Sequence, residues 1–357
     1  MSDTVYLLIV YSSFFVCTFL LSFLINRLFL KFASNLGIRN QSENFIRWSV
    51  QAKPSLGGIS FFLIFLISVA CYSFFFEQQR NELLNIKLLG ILSSCTVAFL
   101  MGLSDDAYNT KPLLKFIIQL ICAIILIVTG THISIFSNDY FNYFLTIFWV
   151  VGLMNSINML DNMDGITTLV SITIILNALL ILYLNSDGRN IYIILLIGVL
   201  AALCGFLIYN WHPAKMFMGD TGSQFLGLFL AAIGIMYFWN TPDVHSNLIQ
   251  SKQFFATILA FAIPIIDTTT VFINRILKGK SPFVGGKDHT THSLFFMGIT
   301  EKRIAILFTG ICFISMFFNF LIIKYIDNWN YLHIILFSIY FIALFWFLFA
   351  PTRKHGH

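Results

Sequence analysis

The chain has 357 residues, of which 58% are hydrophobic and only 10% charged, with a mean hydropathy of +0.84 and a formal net charge of +5. A soluble domain carries about 25% charged residues, so this composition excludes a water-facing globular surface. It specifies an all-α polytopic membrane protein, a single multi-span domain over residues 1–357 with no room for a separate soluble one.

A span needs about 20 apolar residues. In chain order, apolar runs at 4–25, 57–76, 86–103, 113–130, 141–158, 166–184, 191–209, 223–239, 253–273, 303–324 and 331–350 predict 11 transmembrane helices. The first lacks a positive n-region and a small-residue cleavage site, and is read as a retained helix rather than a signal peptide. No internal repeat marks a transporter-like duplication. With the N-terminus outside and the C-terminus cytoplasmic, only Arg80, Lys87, Arg189, Lys252 and Lys324 of the 21 lysines and arginines fall in outer loops. The positive-inside rule therefore assigns the other face to the cytoplasm. The net positive charge is thus a topology signal, and no nucleic-acid partner is expected. All six cysteines lie within apolar runs without a C-x-x-C pair, so neither a disulfide framework nor a zinc site is predicted.

Glu77, Glu82, Asp139, Asp187, Asp243 and Asp327 sit among turn residues of outer loops and are expected to be solvated. The inner loops, near 26–56, 104–112, 159–165, 210–222 and 274–302, carry a different set. Asp105 and Asp106 in "GLSDDAYNTKP" end a span, where a helix C-terminus disfavours acids. Such a pair suits a shared hard cation or proton transfer from a substrate. "MNSINMLDNMDGITT" places Asn155, Asn158, Asp161, Asn162 and Asp164 within ten residues. A break before the Asp164-Gly165 turn would let all five line one pocket, and amides with carboxylates suit a nucleotide base and sugar.

In "NWHPAKMFMGDTGS", Asp220 precedes Thr221, Gly222 and Ser223 at the start of a span. A helix N-terminus there offers N–H groups to a phosphate, and the aspartate can hold a divalent ion beside it. All-oxygen ligands point to Mg²⁺ or Mn²⁺ over Zn²⁺. Asp267, in "AIPIIDTTTVFINR", lies inside a span, where an acid is functional or paired with a base. Arg275 is eight residues on, about 12 Å along a straight helix, so a direct pair needs a bend or another partner. "GGKDHTTHSL" adds Asp288, His289 and His292. Lys111, Lys215, Arg275, Lys278, Lys280 and Lys287 surround these acids, some for phosphate binding and the rest for lipid headgroups and topology; Lys111 and Arg275, with Ser223, are the cofactor-binding candidates. His212 lies in a motif loop, whereas His132, His245 and His333 have ordinary structural or solvated roles.

Clustered acids, a hard cation, phosphate-type helix ends and basic residues suggest phosphoryl transfer, which is mostly positioning and charge neutralisation. The location at one face of a membrane protein suggests a lipid substrate and a soluble anionic partner. The order "GLSDD", "NSINMLDNMDG", "NWHPAKMFMGDTGS", "PIIDTTTVFINR" and "DHTTHSL" resembles the MraY/WecA family of polyprenyl-phosphate N-acetylhexosamine-1-phosphate transferases in bacterial plasma membranes. "KPSLGG", Lys53 to Gly58, resembles that family's glycine pair at the second span.

The resemblance implies that undecaprenyl phosphate attacks the β-phosphorus of a UDP-HexNAc, releasing UMP. It further implies Mg²⁺ on Asp220, with Asp105 and Asp106 accepting the lipid phosphate proton or helping the metal. Asp161, Asp164, Asn155 and Asn158 would contact the nucleotide and support the metal, and His289 and His292 would sit near the diphosphate or sugar. A homodimer is also suggested. Two departures stand out: Asn162 replaces a glycine common between the two acids, and D-H-x-x-H replaces the three-histidine run of the MurNAc-pentapeptide branch. The second points to the GlcNAc-1-phosphate branch, which feeds O-antigen, capsule or teichoic-type glycans, with the peptidoglycan enzyme as the alternative. A CDP-alcohol phosphotransferase lacks its D-G-x-x-A-R signature here, and an intramembrane aspartyl protease lacks G-x-G-D. An ion-coupled transporter would hold its acids at mid-membrane, where only Asp267 lies.

Overall fold

The computed structural model describes residues 3–36, 53–76, 85–185, 190–242, 248–279, 281, 286 and 288–354. Outside them lie the predicted topology charges Arg39, Arg47, Arg80, Arg189, Lys280 and Lys287, the outer-loop acids Glu77, Glu82, Asp187 and Asp243, and His245. The described residues form helices and connections only, with no strand among them.

In chain order the helices are α1 (Asp3–Leu36), α2 (Gly57–Phe75), α3 (Ile86–Tyr108), α4 (Pro112–Val128), α5 (Asp139–Leu160), α6 (Ile166–Asn185) and α7 (Ile191–Asn210). Then come α8 (Gly219–Gly234), which runs on as a π-helical turn at Ile235–Trp239, α9 (Gln250–Ala260), α10 (Ala262–Leu277), α11 (Thr290–Phe296), α12 (Glu301–Lys324) and α13 (Tyr331–Lys354). Eight of these are long and apolar enough to cross a membrane by themselves. The pair α9 and α10 passes that test only together, and α2 and α4 are apolar but shorter. The protein is a multi-pass membrane protein.

Each predicted span falls on helix, with one correction. The run 253–273 is two helices that meet at 80°. Pro264 explains the break: in a continuous helix its ring would strike the carbonyl of Ala260 and remove an internal hydrogen bond. In the first turn of a new helix, where its missing N–H has no partner to lose, it is tolerated. The chain bends at Phe261, whose φ of −107° and ψ of 23° depart from helix.

Burial sorts the bundle into centre and rim. In α8, 94% of the apolar stretch is buried, against 22% in α1 and in α13. α8 packs on α2, α3 and α5, while α1 lies on α7 and α13 on α10. Leu8, Ile9, Val16, Leu20 and Leu24 of α1, and Ile335, Leu336, Ile339 and Ile342 of α13, are exposed apolar side chains. Such rows suit lipid as solvent.

Small residues let α8 start where it does. A Cβ on Gly58 would lie 2.2 Å from the backbone nitrogen of Gly222, and one on Gly102 would lie 2.3 Å from the Asp220 carbonyl. Both positions therefore require glycine for backbone contact. The "KPSLGG" segment pairs with the chain before α8: Phe217 N–H donates to Pro54 O at 3.0 Å, and Gly58 N–H donates to Met218 O at 3.0 Å. α2 and α3 thus clamp the N-terminus of α8, the helix that carries Asp220.

Candidate active site

Asp105 and Asp106 are neighbours in sequence but face different partners. Asp105 is buried at the end of α3. Its Oδ1 accepts the N–H and hydroxyl of Thr110 at 2.8 and 2.7 Å. Its Oδ2 forms a close ion pair with Lys115 Nζ. Lys115 Nζ is also 3.8 Å from Asp220 Oδ2, so one ammonium serves two carboxylates from different helices.

Asp106 turns instead to the start of α8. Its Oδ1 accepts the Asp220 N–H at 3.0 Å, and its Oδ2 accepts the Thr221 N–H at 2.9 Å and hydroxyl at 2.6 Å. The carboxylate thereby caps a helix whose own N-cap, Met218, has no side chain to do so. Gly219 just before has φ of +73°, and a Cβ there would lie 2.6 Å from Asp106 Oδ2. This corrects one sequence expectation: the N–H groups of Asp220 and Thr221 are not open to a phosphate, because Asp106 fills them.

Asp220 Oδ1 accepts a hydrogen bond from Asn158 Nδ2. Asn158 Nδ2 also donates to Ser223 Oγ at 2.8 Å. Ser223 is fully buried and supports Asn158. Asn155, one turn back on α5, joins a buried amide group: its Nδ2 donates to Gln119 Oε1 at 2.8 Å, and Gln119 Nε2 donates to Gln224 Oε1 at 3.2 Å. Three helices, α4, α5 and α8, are tied there by side-chain amides that satisfy one another. Gln119 and Gln224 were not singled out in the sequence, although a glutamine inside an apolar run is itself a signal.

The connection after α5 carries Asp161 to Asp164. The Asp161 carboxyl makes no hydrogen bond among the described residues. Burial, and then the charges of Asp106 and Asp164, push it up to about 7. Asp164 Oδ2 accepts the Ala214 N–H at 2.9 Å and lies 3.1 Å from His212 Nδ1. His212 Nδ1 is also 3.1 Å from Glu301 Oε2, and Lys53 Nζ approaches Asp164 at 3.9 Å. Asp164, His212 and Glu301 have a metal-ligand spacing, but the Ala214 N–H and Lys53 already supply donors to Asp164. His212 thus joins the "NWHPAK" loop to α12. Glu301 escaped the sequence reading.

The histidine segment is anchored by Asp267. Its Oδ2 is 2.8 Å from His289 Nδ1, and its Oδ1 accepts the Thr290 N–H at 2.9 Å and hydroxyl at 2.6 Å. Asp267 is 1% and His289 6% exposed. Arg275 is not the partner of Asp267: its Nε donates to Asp288 at 3.0 Å. The bend at Phe261 and the return of the chain through α11 supply the histidine pair in its place. His292 is buried with its ring centroid 5.3 Å from that of His289. Lys111 is exposed at the N-cap of α4, with no ion pair among the described residues. The cation that reaches the acids is Lys115, one turn further along.

Whether the acids suit a hard divalent cation depends on what faces their oxygens. Asp105 Oδ2 and Asp220 Oδ2 converge on one positive group, the donor chemistry of such a site. Asp106 has both oxygens taken by N–H and O–H donors and fits a ligand role poorly. Asp105 and Asp220 are thus the residues that would hold such a cation between α3 and α8, while the loop after α5 carries the raised carboxyl of Asp161 and Asp267 orients the His289 ring.

Residues 88–238 match the sequence profile of glycosyl transferase family 4. The chain is 28% identical over 339 residues to a probable undecaprenyl-phosphate N-acetylglucosaminyl 1-phosphate transferase of Bacillus subtilis, covering 92% of this chain and 89% of the relative. It is 28% identical over 285 residues to a decaprenyl-phosphate N-acetylglucosaminephosphotransferase of Mycobacterium leprae, covering 72% and 70%. It is 31% identical over 263 residues to a phospho-N-acetylmuramoyl-pentapeptide-transferase of Streptococcus pneumoniae, covering 64% and 78%. With motifs, helical bundle and relatives in agreement, the chain belongs to glycosyl transferase family 4, the MraY/WecA family.

Proposed function

We propose that the protein transfers a HexNAc-1-phosphate, GlcNAc-1-phosphate first among them, from a UDP-sugar to undecaprenyl phosphate, releasing UMP and starting a lipid-linked cell-envelope glycan. The observation that carries this reading is the meeting of Asp105 and Asp220 on one cationic group beside Asn158 and the Asp161 loop. The names of the relatives support the polyprenyl-phosphate and GlcNAc assignments. In this reading the whole chain, 1–357, is one domain of eleven spans. It sits in a bacterial plasma membrane with the site on the cytoplasmic face, where nucleotide sugars are made, and it works as a homodimer.

An oxygen of the lipid phosphate attacks the β-phosphorus of the donor. A new P–O bond forms, the bond to the α-phosphate oxygen breaks, and UMP leaves with the electron pair. Mg²⁺ held by Asp105 and Asp220 would neutralise the diphosphate oxygens. Asp161, titrating near neutrality, takes the proton of a monoprotonated lipid phosphate. Asn158 orients Asp220, and Asp106 keeps the start of α8 in place. Asp164 holds the loop that faces the nucleotide. Lys115 neutralises both acids and would pair with a phosphate oxygen where a cation is held by them. Asp267 fixes the His289 ring, and His289 and His292 face the diphosphate and sugar.

The test is UMP release by detergent-solubilised protein given undecaprenyl phosphate, Mg²⁺ and, one at a time, UDP-GlcNAc, UDP-GalNAc and UDP-MurNAc-pentapeptide. Release with UDP-GlcNAc alone is the expected result. Release with the pentapeptide donor alone moves the protein to the peptidoglycan branch, the branch of the streptococcal relative. Absence of release with every donor, beside an active family enzyme, overturns the reading.

A further inference from the structure

Asn162 stands between the two acids of the loop after α5, and the chemistry above leaves it without a role. Both polar atoms of its side chain are engaged. Nδ2 donates to the Met159 carbonyl at 2.9 Å, and Oδ1 accepts the Thr291 hydroxyl at 2.7 Å. A carbonyl oxygen can only accept, so Met159 fixes the amide's orientation and leaves its acceptor facing α11.

Thr291 is fully buried. It follows Thr290, whose N–H and hydroxyl bind Asp267, and it lies between His289 and His292 in sequence. α11 has seven residues, too few to hold a position by helix propensity. Its placement depends on tertiary anchors: it packs on α12 and α13, and two side-chain hydrogen-bond ties fix it among the described residues. Asp267 of α10 holds the side of His289, and Asn162 holds Thr291 from the loop that carries Asp161 and Asp164.

We infer that Asn162 is a positioning residue: its amide, through Thr291, registers the two histidines of α11 against the carboxylate loop, so that the two halves of the site are assembled before the donor arrives. This rests on the transferase reading, in which the loop faces the nucleotide and the histidines face the diphosphate and sugar. Asn162 touches no reacting atom. It acts by holding α11 to the geometry in which the sugar-phosphate end of the donor is received, and a displacement of about 1 Å at such a distance from the chemistry costs up to about a hundredfold in rate.

The experiment compares Asn162→Ala, Thr291→Val, Thr291→Ser and the double variant Asn162→Ala/Thr291→Val in the full-length protein, using the donor that the unsubstituted enzyme accepts. Thr291→Val keeps the shape and removes only the hydroxyl, so it remains informative where Asn162→Ala fails to fold. The expected result is a kcat lower by about tenfold in either single variant, from loss of one hydrogen bond and its alignment. The double variant falls no further, and Thr291→Ser restores the rate. Inhibition by UMP, which meets only the nucleotide side, stays within about twofold of the parent, as befits loss of a single bond elsewhere. Unchanged kcat in both single variants overturns the inference, as does an additive loss in the double variant. A parallel weakening of UMP inhibition and melting temperature overturns it too, since that is a fold-wide effect. No UMP release by the unsubstituted enzyme is a separate failure: it removes the transferase reading, and this inference with it.

Discussion

Asp106 and Thr221, 115 positions apart, are joined twice: the Thr221 N–H and hydroxyl both donate to Asp106 Oδ2, at 2.9 and 2.6 Å. With the Asp220 N–H on Oδ1, this carboxylate is a helix cap supplied from a neighbouring helix. Asp106→Ala leaves two backbone donors and a hydroxyl without their acceptor, at a cost of about 2 kcal/mol or more. The expected outcome is a lower melting temperature in detergent together with lost activity, while Thr221→Val, which keeps both N–H bonds, costs about 1 kcal/mol. If Asp106→Ala melts like the parent while only the Mg²⁺ requirement rises, Asp106 is a ligand and the capping account is wrong.

Asp220 behaves differently under the same chemistry. Its Oδ2 shares Lys115 with Asp105 and its Oδ1 is held by Asn158. Asp220→Asn halves the anionic donor set without removing a cap. It is expected to lower kcat on the order of a hundredfold and to raise the Mg²⁺ concentration needed for half-activity, with little change in melting temperature. Chelation with EDTA abolishes activity in the parent, and added Mg²⁺ restores it. Activity that survives chelation would falsify the metal assignment.

The contrast between those two neighbours was not legible in the sequence. Adjacent residues on a helix point about 100° apart, and which one meets α8 depends on how α3 is rotated against it. Glycines at 58 and 102 decide that rotation through backbone contacts that carry no signal until the helices are placed. The spans were legible because apolar runs of sufficient length have one physical reading in a chain with so little charge. The break in the ninth span was signalled by Pro264, but its sense was not, and hydropathy cannot see a seven-residue helix such as α11. Lys115 was passed over for Lys111, since both sit near the acids in sequence and only the start of α4 at Pro112 turns one outward and the other in.

Asp267 and His289 form a second orienting pair, 2.8 Å apart and buried. A carboxylate on Nδ1 selects the tautomer that presents Nε2 to the site. Asp267→Asn keeps the shape and the acceptor for Thr290 but can present an N–H to the ring, favouring the other tautomer. The expected effect is a loss of kcat of about ten- to a hundredfold, the range seen when a group that orients a functional histidine is removed. His289→Ala is expected to lose as much, and the double variant no more than either alone. Additive losses in that cycle would separate the two residues and leave Asp267 as a cap for α11 only.

Asp161 gives the protein a pH dependence with a defined sign. Burial and the charges of Asp106 and Asp164 raise its carboxyl to about 7, against about 4 in an unfolded chain. A group bound to its proton more tightly in the fold stabilises the fold while protonated. That stabilisation is fully present below about pH 4 and is lost as pH rises toward 7. As a proton acceptor the same group works only when ionised, so kcat/KM falls as pH drops through about 7. Activity and this part of the stability therefore run in opposite directions. Asp161→Asn, neutral at every pH, is expected to melt higher than the parent at pH 8, to match it at about pH 4, and to have lost the acidic limb along with most of the activity. Melting curves in metal-free buffer at both pH values, beside a pH–rate profile, provide the check. An acidic limb well below 6 in the parent, or a variant less stable than the parent at pH 8, assigns the proton transfer to another group.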